Sequence, residues 1–567
     1  MAAFNPLHRP HLYRVVTFIC LIPGQIGEKM ANNLSHGRSR PLLDESLQSL
    51  VSGGLKGIEK EGLRMNPKGS ISLLPHPARL GAALAHPNIT TDYSEALLEL
   101  ITLALADGDQ MLAFLADLHK YVCANIGDEL LLAASMPVGD LRTIPVARYG
   151  PSNVGKMKHI YRQGLSHRYG SCMQIIAGIH FNYSLPEQFW PQYQHLMKHR
   201  GDLRACATDA YMGMIRNLQR YGWLIPYLFG SSPAVSDSFV HSRNSAYCLT
   251  LKKWDERSYY KPFATSLRTS GIGYVNPVQS MFPISFNSLD EYMRDLGNAT
   301  MMPYPEYEKI CIKKGGQYLQ LNDRFLQIEN EYYTSVRPKQ PTRSNERPLQ
   351  ALRSRGVQYV EIRSVDIDIF EPAGISIDTA CFLEAFSLLC LFKRNLGHDS
   401  RQQEEIGMNS LSVANRGRDP SLRLSDNGTE IPLRNWALGL CGEMQEICDA
   451  LDRGNPARPY TAALNKQIEA IRHPELTPSA RVLSVMRDEK LSITELTLQK
   501  SREYTQYFRS SPLEEAARRN LDFQGRASLE QLQRLNAMTA ISFDKYLNDY
   551  FGQEPAAEKF SSQDLRL

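Results

Sequence analysis

Carboxylate side chains stand among apolar or small neighbours at two places that the sequence pattern predicts to be strands. Glu59 and Glu61 are two residues apart, so in a strand both side chains leave the same face of the sheet. Glu361 and Arg363 share a face in the same way. Taken one at a time, such residues are typical of a solvated acidic edge or of a surface ion pair, and the spacing leaves that alternative open.

A third acidic cluster occupies residues 90–102. If this segment is helical, Asp92, Glu95 and Glu99 lie on or near one stripe. Buried carboxylates are costly unless something neutralises them, and magnesium usually lies between protein carboxylates and phosphates. The three clusters together with Arg363 therefore favour a site for a nucleoside triphosphate and its metal ions.

Two neighbouring segments need separate interpretations. In a strand, His180 and Asn182 point away from the apolar residues that alternate with them. A histidine there is either a hydrogen-bonded structural residue or a ligand, and the pattern does not decide between the two. Residues 150–156 match the G-x-x-x-x-G-K part of a phosphate-binding loop, but Met157 stands where Ser or Thr should hold magnesium. The preceding residues 143–149 are also too polar for a buried strand, so we reject that motif.

The periodicity of the chain predicts the elements that must position these residues. Residues 55–64 are predicted to form the first strand of a hairpin, with a type I turn at 66–69 and a return strand at 70–74. Helices are predicted at 109–126, 203–218 and 375–393. Residues 395–435 are polar and weakly periodic, which predicts a loop-rich excursion, and 513–520 and 529–538 are amphipathic. No repeat or clear linker appears, so the simplest architecture is one large α+β domain.

Composition narrows the class of function. The chain has 567 residues, is 43% hydrophobic and 22% charged, and carries a formal net charge of only +4. That balance gives no basis for a nucleic-acid partner, which requires a concentrated basic face. Ten cysteines without a C-x-x-C pair predict reduced thiols and a cytoplasmic protein. The apolar run at 15–22 is too short for a membrane span and lacks a signal-peptide cleavage site, so Met30 is an alternative start.

The same segments resemble the proteobacterial type of glutamate–cysteine ligase. The matching strings keep the family order from about residue 55 to about residue 483, and they include 55–64 (LKGIEKEGLR), 89–99 (ITTDYSEALLE), 161–165 (YRQGL), 174–182 (QIIAGIHFN), 226–230 (PYLFG), 260–268 (YKPFATSLR), 326–333 (LQIENEYY), 336–339 (VRPK) and 361–366 (EIRSVD). One string would be weak, whereas this many in order are specific.

The resemblance implies a fold and a reaction. The implied fold is similar to the catalytic domain of glutamine synthetase: a curved, mostly antiparallel sheet that forms a funnel flanked by helices. In the implied reaction, ATP phosphorylates the γ-carboxylate of glutamate and the cysteine amine then displaces phosphate. The implied cofactor is Mg²⁺, with Mn²⁺ as the alternative. The domain limits that follow are a disordered extension at 1–43, a catalytic domain at 44–500 and a helical C-terminal segment at 501–567 without an assigned role.

The resemblance also implies residue roles, carried over position by position. The residues that resemble the metal-binding set are Glu59, Glu61, Asp92, Glu99, His180 and Glu361. Those that resemble the glutamate-holding set are Arg268, Gln174, Ile176 and Asn182. Those that resemble the cysteine pocket are Tyr93, Tyr161, Leu165, Tyr274 and Tyr333. Arg363 resembles the residue that steadies the transferring phosphoryl group, and Asn330 is a candidate for nucleotide contact. Tyr93 replaces a Phe found in many relatives, which places a hydroxyl beside the thiol.

Two alternatives remain beside this ligase. A related carboxylate–amine ligase could use another amine, and the tyrosine pocket would discriminate the two. A non-catalytic sensor of ATP or amino acids would have lost metal ligands, whereas every carried-over acidic position is filled here. The partners predicted are small molecules only, with no membrane and no second subunit.

Overall fold

Strands that are far apart along the chain are neighbours in the main sheet of this protein. The structure is a computed structural model that describes residues 45–243, 246–274, 277–538 and 541–553. Its strands are β1 (Leu55–Met65), β2 (Ile89–Thr91), β3 (Leu97–Ile101), β4 (Leu130–Leu131), β5 (Ile179–Ser184), β6 (Ala234–Ser236), β7 (Lys252–Asp255), β8 (Ser258–Tyr260), β9 (Lys313–Lys314), β10 (Gln317–Tyr318), β11 (Val336–Lys339), β12 (Tyr359–Val365), β13 (Arg423–Asp426) and β14 (Thr429–Pro432).

Seven of these strands form the main sheet. Its order is β11-β12-β5-β1-β3-β2, with β4 also paired to β1, and every pairing is antiparallel. Strand β1 is buried along almost its whole length, because helices cover one face and the candidate site lies on the other. Small sheets are formed by β6-β8-β7, β10-β9 and β13-β14.

Helices surround the sheet. The α-helices are Glu45–Val51, Gly108–Asn125, Asn153–Tyr169, Phe189–Met197, Leu203–Tyr221, Leu224–Phe229, Asp237–Ser242, Leu289–Ala299, Pro305–Glu308, Pro348–Arg355, Ile377–Phe392, Ser400–Arg416, Leu433–Leu451, Pro459–Arg472, Pro478–Asp488, Ile493–Ser510, Glu515–Ala537 and Phe543–Phe551. Short 3₁₀ helices are Ala78–Leu80, Met173–Ile175, Ala246–Thr250, Leu267–Thr269, Pro277–Met281, Glu329–Glu331 and Pro474–Leu476. The three helices predicted at 109–126, 203–218 and 375–393 are confirmed within a few residues. The last of these is apolar on all sides because it is buried on all sides.

One predicted hairpin and one predicted helical segment are corrected. The turn at 66–69 forms, with the Gly69 amide donating to the Asn66 carbonyl over 2.9 Å. The return segment, however, makes only one bridge, between Met65 and Ile71, because β1 instead pairs with β3, β4 and β5. Residues 90–102 are not helical but form the β2–β3 hairpin, since pairing with β1 outweighs the local helical pattern.

The predicted loop-rich excursion at 395–435 is also wrong. It contains the helix Ser400–Arg416, which Asp399 caps in a capping box with Gln402, followed by the β13–β14 hairpin. The two amphipathic stretches near the end belong to one helix, Glu515–Ala537. The domain limit predicted at residue 500 falls inside the helix Ile493–Ser510.

Other predictions concern the ends of the chain and its surroundings. The extension at 1–43 lies outside the described residues, and all described residues belong to one unit. The nine cysteines in the described ranges are free thiols. Among the described helices, none has the length and apolar character needed to cross a membrane.

Candidate active site

Strand register brings the acidic residues together. Glu59 on β1 lies opposite His180 on β5, and Glu61 lies opposite Glu99 on β3. Strand β12 pairs with the edge of β5 that β1 leaves free, and there Glu361 lies opposite Asn182. Residues opposite each other in an antiparallel pair share one face of the sheet. Four adjacent strands therefore present carboxylates and one imidazole on a single face.

Glu59, His180 and Glu361 form the tightest cluster. One ligand atom from each lies within 4.8 Å of the others, the separation expected of donors to one metal ion. His180 Nδ1 is 3.4 Å from Glu59 Oε2 and 3.8 Å from Glu361 Oε1. Burial, reinforced by the Arg363 charge, lowers the pKa of His180, so its imidazole is neutral and can act as a ligand.

Basic side chains surround Glu361. Lys339 Nζ and Arg363 Nη1 each lie 3.2 Å from Glu361 Oε1. Burial alone would raise the pKa of Glu361, but the charges of Lys339 and Arg363 outweigh it and hold that pKa well below its usual value. Glu361 is therefore an anion. Its second oxygen, Oε2, is buried and accepts no hydrogen bond from the described residues.

Glu61 and Glu99 are shifted in the opposite direction. Burial and then the negative charge of Asp92 raise the pKa of Glu61 to about 8. Burial and then the charge of Glu59 raise the pKa of Glu99. Like charges that crowd in this way are relieved by a bound cation. The donor set of carboxylate oxygens, one neutral imidazole and an unpartnered buried oxygen thus fits a hard divalent cation.

The carboxylates line a cavity of about 450 Å³, a size typical of small-molecule sites. The predicted site residues on its walls are Glu59, Glu61, Asp92, Tyr93, Glu99, Tyr161, Leu165, Gln174, His180, Tyr274, Asn330, Tyr333, Glu361 and Arg363. The three predicted residues outside this lining are in direct contact with it. Asn182 Nδ2 donates to Glu59 Oε1 over 2.9 Å, and the Ile176 carbonyl accepts from the Tyr274 hydroxyl over 2.7 Å.

Arg268 is the third of these residues and lines an adjoining cavity of about 230 Å³. The two cavities share Glu61, His180, Tyr274, Tyr333 and Arg363. Arg268 Nη2 donates to the Arg363 carbonyl over 2.9 Å, and its Nε has no hydrogen-bond partner among the described residues. The guanidinium fits closely against the backbone at Gly178, where a Cβ atom would lie 1.9 Å from Nη2.

Aromatic side chains form one wall of the larger cavity. The rings of Tyr274 and Tyr333 lie 5.5 Å apart, and the Tyr333 hydroxyl contacts the Gln174 amide at about 3 Å. The Tyr93 hydroxyl donates to Ser171 Oγ over 2.8 Å. This hydroxyl, which the resemblance implies lies beside a substrate thiol, therefore already has a hydrogen-bond partner within the protein.

Several residues that line the cavity have no role predicted from the sequence. Lys158 and Arg162 project from the helix Asn153–Tyr169, and Arg337 and Lys339 project from β11. Arg162, Arg337 and Lys339 lie in the strings 161–165 and 336–339 that carry the family resemblance, and Lys158 lies just before the first of them. The resemblance could therefore have identified these basic residues as candidates for the site. Tyr546 and Tyr550 also line the cavity from the far end of the chain. Their only signal was the spacing of two aromatic residues one helical turn apart.

The fold and the site define a class of protein: an α+β protein with a carboxylate-rich cavity on an antiparallel sheet, whose donor atoms fit a divalent cation. Comparison with known proteins narrows the class. The family model for glutamate–cysteine ligase matches residues 40–413, and the chain belongs to this family. It is 42% identical over 503 residues to the glutamate–cysteine ligase of Pseudomonas paraeruginosa (strain DSM 24068 / PA7), covering 88% of this chain and 94% of that one. It is 43% identical over 511 residues to that of Azotobacter vinelandii (strain DJ / ATCC BAA-1303), covering 89% and 95%.

Solved structures agree with this assignment. The crystal structure of the Francisella tularensis glutamate–cysteine ligase in complex with AMP matches with a TM-score of 0.82 and 37% identity, covering 88% of this chain and 98% of that chain. A bifunctional glutathione synthetase from Pasteurella multocida matches with a TM-score of 0.66 and 23% identity, covering 88% of this chain and 58% of that chain. The second likeness concerns the fold alone.

Proposed function

We propose that this protein joins the γ-carboxylate of L-glutamate to the amine of L-cysteine with ATP, which gives γ-glutamylcysteine, ADP and phosphate. The observation that carries the proposal is the cluster of Glu59, His180 and Glu361 in one cavity with Arg363 and the tyrosine wall. The family assignment supports the same reaction. The product is the precursor from which glutathione is made.

The first step is transfer of the γ-phosphoryl group of ATP to the glutamate γ-carboxylate. Arg363 is suited to steady that group, because the carboxylates Glu361 and Glu61 raise its pKa and keep it charged. We assign the metal ions to Glu59, Glu61, Asp92, Glu99, His180 and Glu361. Magnesium, when bound, would neutralise charge on the phosphate oxygens, and Mn²⁺ could replace it.

The protein must also hold both amino acids. Arg268, Gln174, Ile176 and Asn182 are proposed to hold glutamate, and an arginine suits a carboxylate because its planar fork pairs with both oxygens. Tyr93, Tyr161, Leu165, Tyr274 and Tyr333 are proposed to enclose cysteine. The cysteine amine then attacks the γ-glutamyl phosphate, the C–O bond to phosphate breaks and phosphate leaves.

Further features of the proposal concern architecture and setting. We propose that the seven-stranded sheet corresponds to the curved, funnel-forming sheet of glutamine-synthetase-like catalytic domains. Asn330 at the cavity wall is proposed to contact the nucleotide. The protein is proposed to act in the cytoplasm as a monomer on small-molecule substrates.

Release of phosphate tests the proposal. The full-length protein is incubated with ATP, Mg²⁺ and glutamate, with and without cysteine, and both phosphate and γ-glutamylcysteine are measured. We expect phosphate and dipeptide in equal amounts, and only with all four components present. Phosphate release that is independent of both amino acids, or a dipeptide formed faster from another amine than from cysteine, would contradict it.

A further inference from the structure

The last described helix, Phe543–Phe551, reaches the cavity, although no role is predicted for the C-terminal segment from its residues. Tyr546 and Tyr550 line the cavity together with Ile328, Asn330 and Asn345. They are four residues apart, so both side chains leave one face of the helix. Their rings are nearly parallel, with centroids 6.5 Å apart and an angle of 24° between planes. The helix therefore presents flat aromatic surface to the site.

This helix is held firmly against the rest of the protein. Leu547 is buried against Met157 and Ile160 of the helix Asn153–Tyr169. Lys313 Nζ forms an ion pair with Asp544 Oδ1 over 2.8 Å. Tyr546 and Tyr550 also pack against this cluster at the edge of the cavity, so the same contacts that attach the helix hold the two rings in place.

The segment after β11 completes the attachment. Gln553 Nε2 donates to the Asn345 carbonyl over 2.8 Å, and the Tyr546 hydroxyl donates to Asn345 Oδ1 over 3.2 Å. The guanidinium carbon of the buried Arg347 lies 5.8 Å from the centre of the Tyr550 ring, a cation–π contact that orients this ring. Both tyrosines are thus built into the cavity wall.

The two parts of the cavity differ in chemistry. One part carries the carboxylates and basic residues described above, which suit phosphates and their metal ions. Tyr546, Tyr550 and Ile328 give the other part an aromatic and apolar surface, beside the amide groups of Asn330 and Asn345 and the side chain of Glu346, which pairs with Arg355. A nucleoside triphosphate has the same division, with a charged chain at one end and a flat aromatic base at the other.

We propose that Tyr546 and Tyr550 receive the purine base of ATP, so that the C-terminal helix is part of the nucleotide site. The inference rests on the proposed function only in taking ATP as the co-substrate. Stacking of a base on an aromatic side chain contributes to affinity whichever base it is. The two tyrosines should therefore raise the affinity for ligands that carry a base, such as ATP and ADP. They should not change the affinity for a phosphate chain without a base.

A comparison of two ligands tests the assignment. Binding of ADP and of inorganic tripolyphosphate, each with Mg²⁺, is measured by calorimetry on the full-length protein and on Tyr550→Ala and Tyr546→Ala. We expect each variant to bind ADP about tenfold more weakly and to bind tripolyphosphate within twofold of the parent protein. ADP affinity that stays unchanged in both variants would overturn the inference, as would an equal loss for both ligands.

Matched controls separate base contact from attachment of the helix. Leu547 lies on the same helix and is buried in the same cluster, but it does not line the cavity. We expect Leu547→Ala to change the melting temperature at least as much as Tyr550→Ala while leaving the affinity for ADP unchanged. If Tyr550→Ala does not fold, Tyr550→Leu keeps the bulk without the aromatic ring and should still weaken ADP binding.

The outcomes also distinguish this inference from the proposed function. A parent protein that forms no γ-glutamylcysteine, but binds ADP through Tyr546 and Tyr550, would sustain the inference and refute the function. If the parent protein forms the dipeptide while every tyrosine variant binds ADP normally, the proposed function is sustained and this inference is refuted.

Discussion

Two sites on opposite faces of β1 bury charge in different ways. On the face turned to the helices, Lys56 Nζ lies 2.7 Å from Glu384 Oε2 and donates to the Ala106 carbonyl over 2.6 Å. The Tyr460 hydroxyl donates to the same Glu384 oxygen over 2.7 Å. One cation and one anion, both almost fully buried, compensate each other there.

The cavity face of the same strand is compensated only in part, because Lys339 and Arg363 pair with Glu361 while the pKa of Glu61 stays raised. Glu59 and Glu61 leave that face toward further carboxylates, and burial together with the Asp92 charge raises the pKa of Glu61 to about 8. A buried pair that is matched within the protein needs no further partner, whereas repulsion among buried carboxylates is relieved either by a proton, as the raised pKa of Glu61 shows, or by a bound cation. The comparison therefore distinguishes the Lys56–Glu384 pair, whose charges balance each other, from Glu59 and Glu61, whose charges would be balanced by a bound cation.

The largest effect should come from the cavity face. We expect Glu361→Gln to lower kcat/KM by about 10²–10³-fold at saturating magnesium, because it removes a ligand charge and weakens the hold on Arg363. Steady-state phosphate release is the measurement. Glu346→Gln is the control, since Glu346 lines the outer part of the same cavity but pairs with Arg355 instead of the cluster. Near-normal turnover of Glu361→Gln would remove it from the metal set.

The second effect should be on stability and come from the opposite face. Lys56→Met leaves Glu384 buried without its cation, so we expect a loss of about 3 kcal/mol in the free energy of unfolding. Adding Glu384→Leu should recover most of that loss, because no unpaired charge then remains. Melting temperatures of the two variants check this. A double variant as unstable as Lys56→Met alone would show that packing, not charge, is what matters at this site.

The sequence predicted what depends on local pattern. The shared face of Glu59 and Glu61 follows from strand periodicity, and the apolar run at 375–393 predicted a buried helix. The hairpin at 89–101 was missed because its identity depends on pairing with β1, which no local pattern shows. The helix Ser400–Arg416 did carry a signal, the Asp399 and Gln402 capping box, which the polar composition of the region obscured.

The candidate site was predicted by resemblance more than by physical pattern. The residues alone indicated carboxylates near a metal, but not which carboxylates would meet. The contact between Glu61 and Glu99 depends on a register between strands that are about 40 residues apart in the chain. Tyr546 and Tyr550 lie outside the resemblance, so neither route identified them.

The third effect is a pH dependence of stability in protein freed of metal with a chelator. Glu61 has a pKa of about 8 in the folded protein and about 4.5 when unfolded, so the folded state keeps a proton that the unfolded state releases. On these values Glu61 contributes stability that is lost as pH rises from about 4.5 to about 8, with an upper limit of about 5 kcal/mol. Buried histidines whose pKa burial lowers, such as His119 and His180, act in the opposite direction over part of the same range. Glu61→Gln should flatten part of this fall, and Glu99, shifted in the same direction, should account for more of it. Melting curves at several pH values measure the slope; a slope that the variant leaves unchanged would contradict the assignment.

The smallest effect should be on the choice of the amine substrate. If Tyr274 walls the cysteine pocket, Tyr274→Ala should raise the KM for cysteine about tenfold, since a hydrophobic pocket distinguishes neighbouring sizes by only about 1–3 kcal/mol. The KM values for ATP and glutamate should change little. 2-Aminobutyrate, which is nearly the size of cysteine, should be a substrate of the parent protein and should lose efficiency in the variant by the same factor. Tyr274→Phe keeps the ring and loses only the hydrogen bond to the Ile176 carbonyl, so its KM for cysteine should stay close to that of the parent. A lower melting temperature with an unchanged KM for cysteine would instead show that Tyr274 supports the fold, as Lys56 does on the opposite face.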